Sequence, residues 1–465
     1  MPTKQHNRFL LQMMEGVSNL RIAITDHSIS SGQPWDNIPG IIQKSGNTWE
    51  IDVQAGRHDT DTVARWFKDK ISVGNARGCS SYDALPGKLN FAFTCTLSFD
   101  YHNRHCELRD IQIGQGHNSR SENNWWIGSR NLKKVSGNYI LETGQELTFK
   151  CDISVSGVNQ FYMKLNTSEW MGKIDVKASL PGLSIPGTHD TGTYKISPAS
   201  FGARCQNYDI SQQLENGIRF LDIRLVNSSD TSDPLSLYHG IIPCDVTFGE
   251  VMNACREFLK NHPSETVLMS VDHEKSGQKI SENFMTYLKK YDSLYYKDNT
   301  VPTIEQAKGK VVFLYRFDLD TGNSGIDKNR VGVRFGPWQD DASFETENSN
   351  GQKFYIEDNY KSYDTHKKVK YVQENLERAM KKDAGNESVL YVSFNSIAFG
   401  AFHHTPYQYA WGGTGIDPAM NPWLKQYTQY AGKRRLGIIP LDFYNNGGGN
   451  PVENELVENI IQSNY

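Results

Sequence analysis

The chain has 465 residues, a formal net charge of -4, 37% hydrophobic residues and 22% charged residues. That slightly acidic balance supplies no basic field of the kind nucleic acid needs, which removes nucleic-acid binding from the function classes. No apolar run approaches the ~18 residues of a membrane-spanning helix, and the length exceeds the ~250 to 300 residues at which one core stops growing, so at least one domain boundary is required.

The N-terminus carries Lys4, Arg8 and a short apolar run over 9–14 broken by Gln12, a poor secretory leader. It leaves an intracellular chain, another export route or a mature form open; the expectation is a secreted protein or one peripheral to a membrane. From 20–24 through 48–53, 89–99, 106–113, 139–141 and 146–155, short β-type runs are separated by Gly, Asn and Ser clusters. Alternation is clearest where Leu89, Phe91, Phe93, Cys95, Leu97 and Phe99 share one face. These runs predict an N-terminal all-β, sandwich-like domain over 1–172 with a glycan or membrane as candidate ligand; Trp125 and Trp126 form either an exposed contact loop or rings packed against the sheet. The seven cysteines contain no CxxC pair, which argues against zinc.

Composition changes near 168–177, and from there strands alternate with helices. β-type runs fall at 182–185, 218–225, 235–238, 266–271, 310–315, 353–357, 388–394 and 436–440, with amphipathic helix candidates at 248–261, 281–291, 363–382, 421–431 and 452–463. Strands alternating with helices imply parallel pairing with right-handed crossovers. The fold class is therefore α/β: a distorted TIM (β/α)8 barrel over 173–465 following the all-β domain. A doubly wound open sheet is the alternative, but PGTHDTG after the first strand does not match its GxGxxG phosphate turn.

Barrels carry their chemistry at the C-terminal ends of the strands. Those ends supply His189 and Asp190, then Asp222 and Arg224 within LDIRL, His239 in LYHG, Asp272, His273 and Glu274, Arg316 in FLYR, Asp358 and Tyr360 in IEDNY, and Asp442 in PLDFY. Two imidazoles, an arginine and several carboxylates at one mouth suit general acid and base catalysis on a phosphoryl group. A planar guanidinium balances charge on the non-bridging oxygens, and a carboxylate behind an imidazole sets its tautomer.

The stretches SIPGTHDTGTY, GIRFLDIRL, LYHG, FLKNHPSETVLMSVDHE, GKVVFLYR, IEDNYK and GIIPLDFY resemble, in this order, the bacterial-type phosphatidylinositol-specific phospholipases C. The resemblance covers about 180 to 465 and leaves the first domain unassigned. It implies cleavage of phosphatidylinositol to diacylglycerol and inositol 1,2-cyclic phosphate. His189 matches the family's general base, oriented by Asp442; His239 matches the general acid, assisted by Asp190; Arg224 matches the arginine on the phosphate, with Asp222 beside it. Arg316 and Asp358 match residues on the inositol hydroxyls, and Tyr360 matches the ring that stacks on inositol. Asp272 and His273 stand where lysines are usual in that family, which bears on headgroup preference.

Calcium-dependent relatives hold an ion with carboxylates where the metal-independent branch has an arginine. Arg224 therefore implies no cofactor and no metal, although Asp222 and Glu274 are oxygen donors of the type Ca²⁺ takes. Two other functions compete: a metal-dependent phosphodiesterase on the same barrel, and a lipid- or glycan-binding protein with a silent barrel. The expected partner is an inositol phospholipid at a membrane surface. The aromatic loop 399–414 lies after the seventh strand, and Phe399, Phe402, Tyr407, Tyr409 and Trp411 are its candidate membrane contacts.

Overall fold

The structure is a computed structural model. It describes residues 5–13, 16–26, 41–45, 48–55, 90–101, 104–116, 124–129, 133–135, 138–142, 148–152, 160–198, 200, 202–275, 277, 279–322, 324–381, 388–400, 403–429, 432–445 and 455–465. The chain divides into two units, Met1–Asn166 and Thr167–Tyr465.

Among the described residues, the first unit is all-β. Its strands are β1 (Gln5–Met13), β2 (Val17–Asp26), β3 (Ile41–Ser45), β4 (Thr48–Ala55), β5 (Asn90–Tyr101) and β6 (Arg104–Gly116). They continue with β7 (Asn124–Ser129), β8 (Lys133–Val135), β9 (Asn138–Glu142), β10 (Thr148–Asp152) and β11 (Gln160–Leu165). They form a 7-stranded sheet in the order β3-β4-β1-β11-β10-β9-β8 and a 4-stranded sheet in the order β2-β5-β6-β7. Period-two alternation explains β5: Cys95, Leu97, Phe99 and Tyr101 are buried while Thr96, Ser98 and Asp100 between them are not. Trp125 and Trp126 lie within β7, paired with β6, and not in the contact loop read from the sequence. Their flanking Asn124 and Gly128 resemble turn residues, yet both join the ladder.

The second unit runs β12 (Ser184–Thr188), α1 (Ile210–Glu215), β13 (Phe220–Asn227), β14 (Leu235–His239), β15 (Ile242–Thr247), α2 (Phe248–Asn261), β16 (Val267–His273), α3 (Ser281–Lys290) and α4 (Ile304–Ala307). There follow β17 (Val311–Tyr315), β18 (Val333–Arg334), β19 (Ser343–Glu347), β20 (Lys353–Glu357), α5 (Thr365–Met380), β21 (Leu390–Ser393), α6 (Pro406–Trp411), α7 (Met420–Thr428), β22 (Gly437–Leu441) and α8 (Glu455–Gln462). The strands form one 11-stranded sheet, ordered β18-β17-β16-β13-β12-β22-β21-β20-β19, with the β14–β15 hairpin attached through β13. From β18 to β20 every neighbouring pair is parallel. This is the distorted barrel, unzipped between β18 and β19, where Asn348 Nδ2 donates across to Arg334 O at 2.9 Å.

Burial follows from the parallel layout. β12, β17, β21 and β22 are buried along their whole length, as strands covered on both faces must be, while the antiparallel edge strand β19 alternates. Two glycines permit close approach. A Cβ on Gly187 would lie 2.8 Å from the Phe220 ring, and one on Gly437, at φ +74°, would lie 2.6 Å from Tyr391 O. Capping boxes Asp209/Gln212 and Thr247/Glu250 set the starts of α1 and α2.

One element departs from the sequence reading. The segment 235–238 is not the third parallel strand: β14 runs antiparallel to β13, with Leu225 opposite Leu237, and returns through β15. The intervening 228–234 is too short for a crossover, which needs about a dozen residues. β13 pairs directly with β16, and the eighth parallel strand is the two-residue β18 at the edge beyond β17. The boundary also falls earlier than 172/173, because residues 167–172 are held by the barrel. Trp170 Nε1 donates to Gly217 O at 3.0 Å, and the Met171 and Gly172 amides donate to Glu265 at 3.2 and 3.0 Å.

Candidate active site

The ends of β12, β13, β14 and β22 bring five of the candidate groups together. β12 pairs with both β13 and β22, so His189 and Asp190 emerge between the strands that carry Arg224 and Asp442. His189 Nδ1 lies 2.8 Å from Asp442 Oδ1, which keeps the proton on Nδ1, donated to the carboxylate, and leaves Nε2 facing the mouth. Nε2 is 3.0 Å from Arg224 Nη2 and 3.4 Å from Asp190 Oδ2. His239 reaches the same carboxylate oxygen from the hairpin: its Nε2 is 3.4 Å from Asp190 Oδ2, while its Nδ1 is 2.7 Å from Ala203 O. The carbonyl accepts only, so Nδ1 is the donor. Asp190 holds this position at φ +42°, a left-handed conformation uncommon for a residue with a side chain.

Arg224 is clasped by two carboxylates, Nε at 3.0 Å from Asp190 Oδ1 and Nη2 at 3.1 Å from Asp222 Oδ2. Asp222 Oδ2 also accepts the Asp190 amide at 3.3 Å. A further layer surrounds Arg316. Its Nη1 is 3.9 Å from Asp222, its Nε is 3.4 Å from Asp272, and its guanidinium lies 3.8 Å over the Trp338 ring. Trp338 Nε1 in turn donates to Asp358 Oδ2 at 3.0 Å. His273 Nδ1 is 2.9 Å from Asp272 Oδ1, and Glu274 accepts the Gly240 amide.

These neighbours set the ionisation. Burial works against a charged His189 ring, but the carboxylates of Asp190 and Asp442 outweigh it and raise its pKa to about 9. The contact with Arg224 works the other way, since a guanidinium N–H can donate to Nε2 only when that nitrogen is bare. Asp190 is resisted by burial yet held well below the usual carboxylate range by Arg224, His239 and His189. Burial raises Glu274 and Asp358, and it raises the buried Cys205 thiol beside the site well above the ordinary thiol value, which keeps that thiol inert.

Other residues hold the cluster without having been singled out from the sequence. Buried Gln206 ties two strand ends, donating to His189 O at 2.7 Å and Leu441 O at 2.8 Å. Asn421 Nδ2 donates to Asp442 O at 2.9 Å. Trp338 was missed because it follows β18, whose two residues carry no readable period. The signal available was an aromatic residue between Gly336–Pro337 and Asp340.

Tyr360 lies two residues beyond Asp358 and is engaged elsewhere: its hydroxyl donates to Asp340 at 2.7 Å, and the Lys361 ammonium lies 4.7 Å over its ring. In the aromatic loop, Phe399 and Tyr407 are each 42% exposed. Phe402 lies outside the described residues. Tyr409 is buried at 1% exposure and is no membrane contact; on α6 it faces inward with Pro406 and Ala410 and meets His404 edge-on at 5.6 Å. Trp411 is half-buried with Nε1 donating to Phe443 O at 2.6 Å, which makes it an anchor of α6 and not a free ring.

His189, Asp190 and Asp222 offer donor atoms within 4.8 Å of one another, two of the three being carboxylate oxygens of the kind a hard cation takes. The Arg224 guanidinium, however, already bridges the two carboxylates.

The family model for the phosphatidylinositol-specific phospholipase C X domain matches residues 183–317. The 1-phosphatidylinositol phosphodiesterase of Staphylococcus aureus (strain Newman) is 32% identical over 309 residues, covering 63% of this chain and 93% of the relative. That of Listeria monocytogenes is 27% identical, covering 64% of this chain and 86% of the relative. Among solved structures, the phosphatidylinositol-specific phospholipase C of S. aureus, in work on modulation of its membrane binding, superposes with a TM-score of 0.55 at 30% identity over 64% of this chain and 98% of its own.

Proposed function

The chain belongs to the phosphatidylinositol-specific phospholipase C family and is a phosphodiester-cleaving enzyme, and from that premise we propose that it cleaves phosphatidylinositol by internal transfer. His189 Nε2 takes the proton of the inositol 2-hydroxyl, that oxygen forms a bond to phosphorus, and the bond from phosphorus to the glycerol oxygen breaks. His239, as imidazolium, gives its Nε2 proton to the departing oxygen. The products are diacylglycerol and inositol 1,2-cyclic phosphate, and the net proton count is unchanged. Arg224 stabilises the charge on the non-bridging oxygens. Its present contact with His189 Nε2 must loosen as the phosphate arrives, which frees the base at the moment it is needed.

The observation that carries this reading is the shared carboxylate: Asp190 Oδ2 lies 3.4 Å from both Nε2 atoms, so the two imidazoles face one small volume. Asp272, Asp358 and Arg316 line the adjoining layer around Trp338, suited to hydroxyls. Arg224 supplies the positive charge, and the reading therefore needs no metal. At the lipid surface, Phe399 and Tyr407 are the large exposed hydrophobic rings among the described residues of the aromatic loop. For the first unit, we propose a targeting role toward a glycan or membrane, which comparison of the full chain with residues 167–465 on liposomes and glycan surfaces would test.

Incubation with phosphatidylinositol in excess EDTA, followed by phosphorus NMR, tests the reaction directly. A cyclic phosphodiester resonance is expected. Release of an acyclic inositol phosphate from the outset would refute internal transfer, and silence restored by Ca²⁺ would refute metal independence.

A further inference from the structure

The β14–β15 hairpin carries His239 on one side of its turn and an unusual residue at its tip. Ile241 is 89% exposed. The strands behind it are anchored by buried Leu235, Leu237, Cys244 and Val246, and the Gly240 amide is fixed to Glu274. The tip is therefore held out by a rigid element at a turn position where polar residues are usual. Isolated exposed apolar residues are common; this one is next but one to the group assigned to protonate the glycerol oxygen. Its surroundings extend the apolar character. The Phe399 ring packs so closely on Gly202 that a Cβ there would lie 2.1 Å from it, and the following Ala203 carbonyl holds His239. On the other side, the Lys275 ammonium lies 4.7 Å over the Tyr238 ring.

We infer that the hairpin tip at Ile241 is a lipid-inserting wedge on the leaving-group side of the mouth, with the Tyr238–Lys275 pair at headgroup level. This rests on the catalytic reading above. The acid must reach an oxygen still bonded to a diacylglycerol whose chains lie in the lipid, so the element bearing His239 must come to the hydrocarbon boundary. An aliphatic side chain enters that boundary favourably, and a ring with a cation over it sits well at the interface. Because one short hairpin carries both groups, insertion of Ile241 also sets the depth at which His239 meets its substrate.

The test uses the full chain with Ile241→Asp and Ile241→Trp, neither of which disturbs buried packing. Partition onto vesicles of phosphatidylcholine and phosphatidylglycerol is measured alongside turnover of monomeric dihexanoylphosphatidylinositol. Ile241→Asp is expected to lower partition on the order of tenfold or more while soluble turnover is kept, and Ile241→Trp is expected to bind at least as well as the parent. Unchanged partition of Ile241→Asp would overturn the proposal, as would a parallel loss of soluble turnover, which would make Ile241 part of the pocket. If the parent chain itself failed to turn over the monomeric lipid, the catalytic reading would fall while the partition data still decided the wedge.

Discussion

The ring of His189 is held by Asp442 on one nitrogen and meets Arg224 and Asp190 on the other. Its pKa of about 9 means that a base acting from the free enzyme gains its neutral form only as the pH climbs, so the acid limb of kcat/KM should lie well above 6.5. Asp442→Asn removes a contribution that raises the pKa. That limb should then move to lower pH while the plateau falls, and a limb that stays in place would exclude His189 as the titrating base. His189→Ala and His239→Ala should each lower kcat by ~10²- to 10⁴-fold, as loss of a general acid or base does. Arg224→Lys keeps the charge but loses the two-pronged hold on Asp190 and Asp222, and kcat should fall by ~10²- to 10³-fold as for loss of an oxyanion donor.

Elements deliver these residues only because other contacts hold the elements. At the opposite end of the barrel, Arg219 and Glu265 form a pair with no side-chain exposure, and Glu265 also takes the Met171 and Gly172 amides. Glu265→Ala leaves the buried Arg219 guanidinium without its counter-charge, though still bonded to backbone carbonyls, and the two amide donors without their carboxylate. The barrel should lose ~3 to 5 kcal/mol, read as a lower denaturant midpoint of its unfolding transition. Helix α6 separates two tyrosines that look alike in sequence. Tyr407 faces out and Tyr409 faces in, so Tyr407→Ala with Phe399→Ala should weaken vesicle partition while Tyr409→Ala should lower stability instead. If Tyr409→Ala reduced partition with the midpoint unchanged, the inward placement would be wrong. β14 was legible as apolar strand but not as an arm of an antiparallel hairpin, and β15 was not read at all, because an apolar run reports burial and not pairing direction.

For the whole molecule, pH acts through its buried imidazoles. His262 sits between Glu169 at 3.2 Å and Glu215 at 3.1 Å, and although burial opposes its charge those carboxylates raise its pKa from 6.5 to about 9. A folded-state pKa raised above the unfolded one gives stability that is complete below about 6.5 and lost as the pH rises through about 9. His189 shares that sign and window. Thermal midpoints should therefore fall between these pH values, and His262→Gln should flatten the fall. The sequence by itself determined the α/β barrel behind an all-β unit, the extents of helices such as α2, and the chain positions of His189, Arg224, His239 and Asp442, because period, turn chemistry and strand-end motifs are written locally. Only the tertiary structure decided that β14 turns back from the parallel set while β18 completes it at the edge, that residues 167–172 belong to the barrel, that Trp338 enters the site and that Tyr409 does not reach the surface. Each of those depends on which distant strand or side chain occupies the neighbouring space, and chain-local patterns of polarity do not encode that choice.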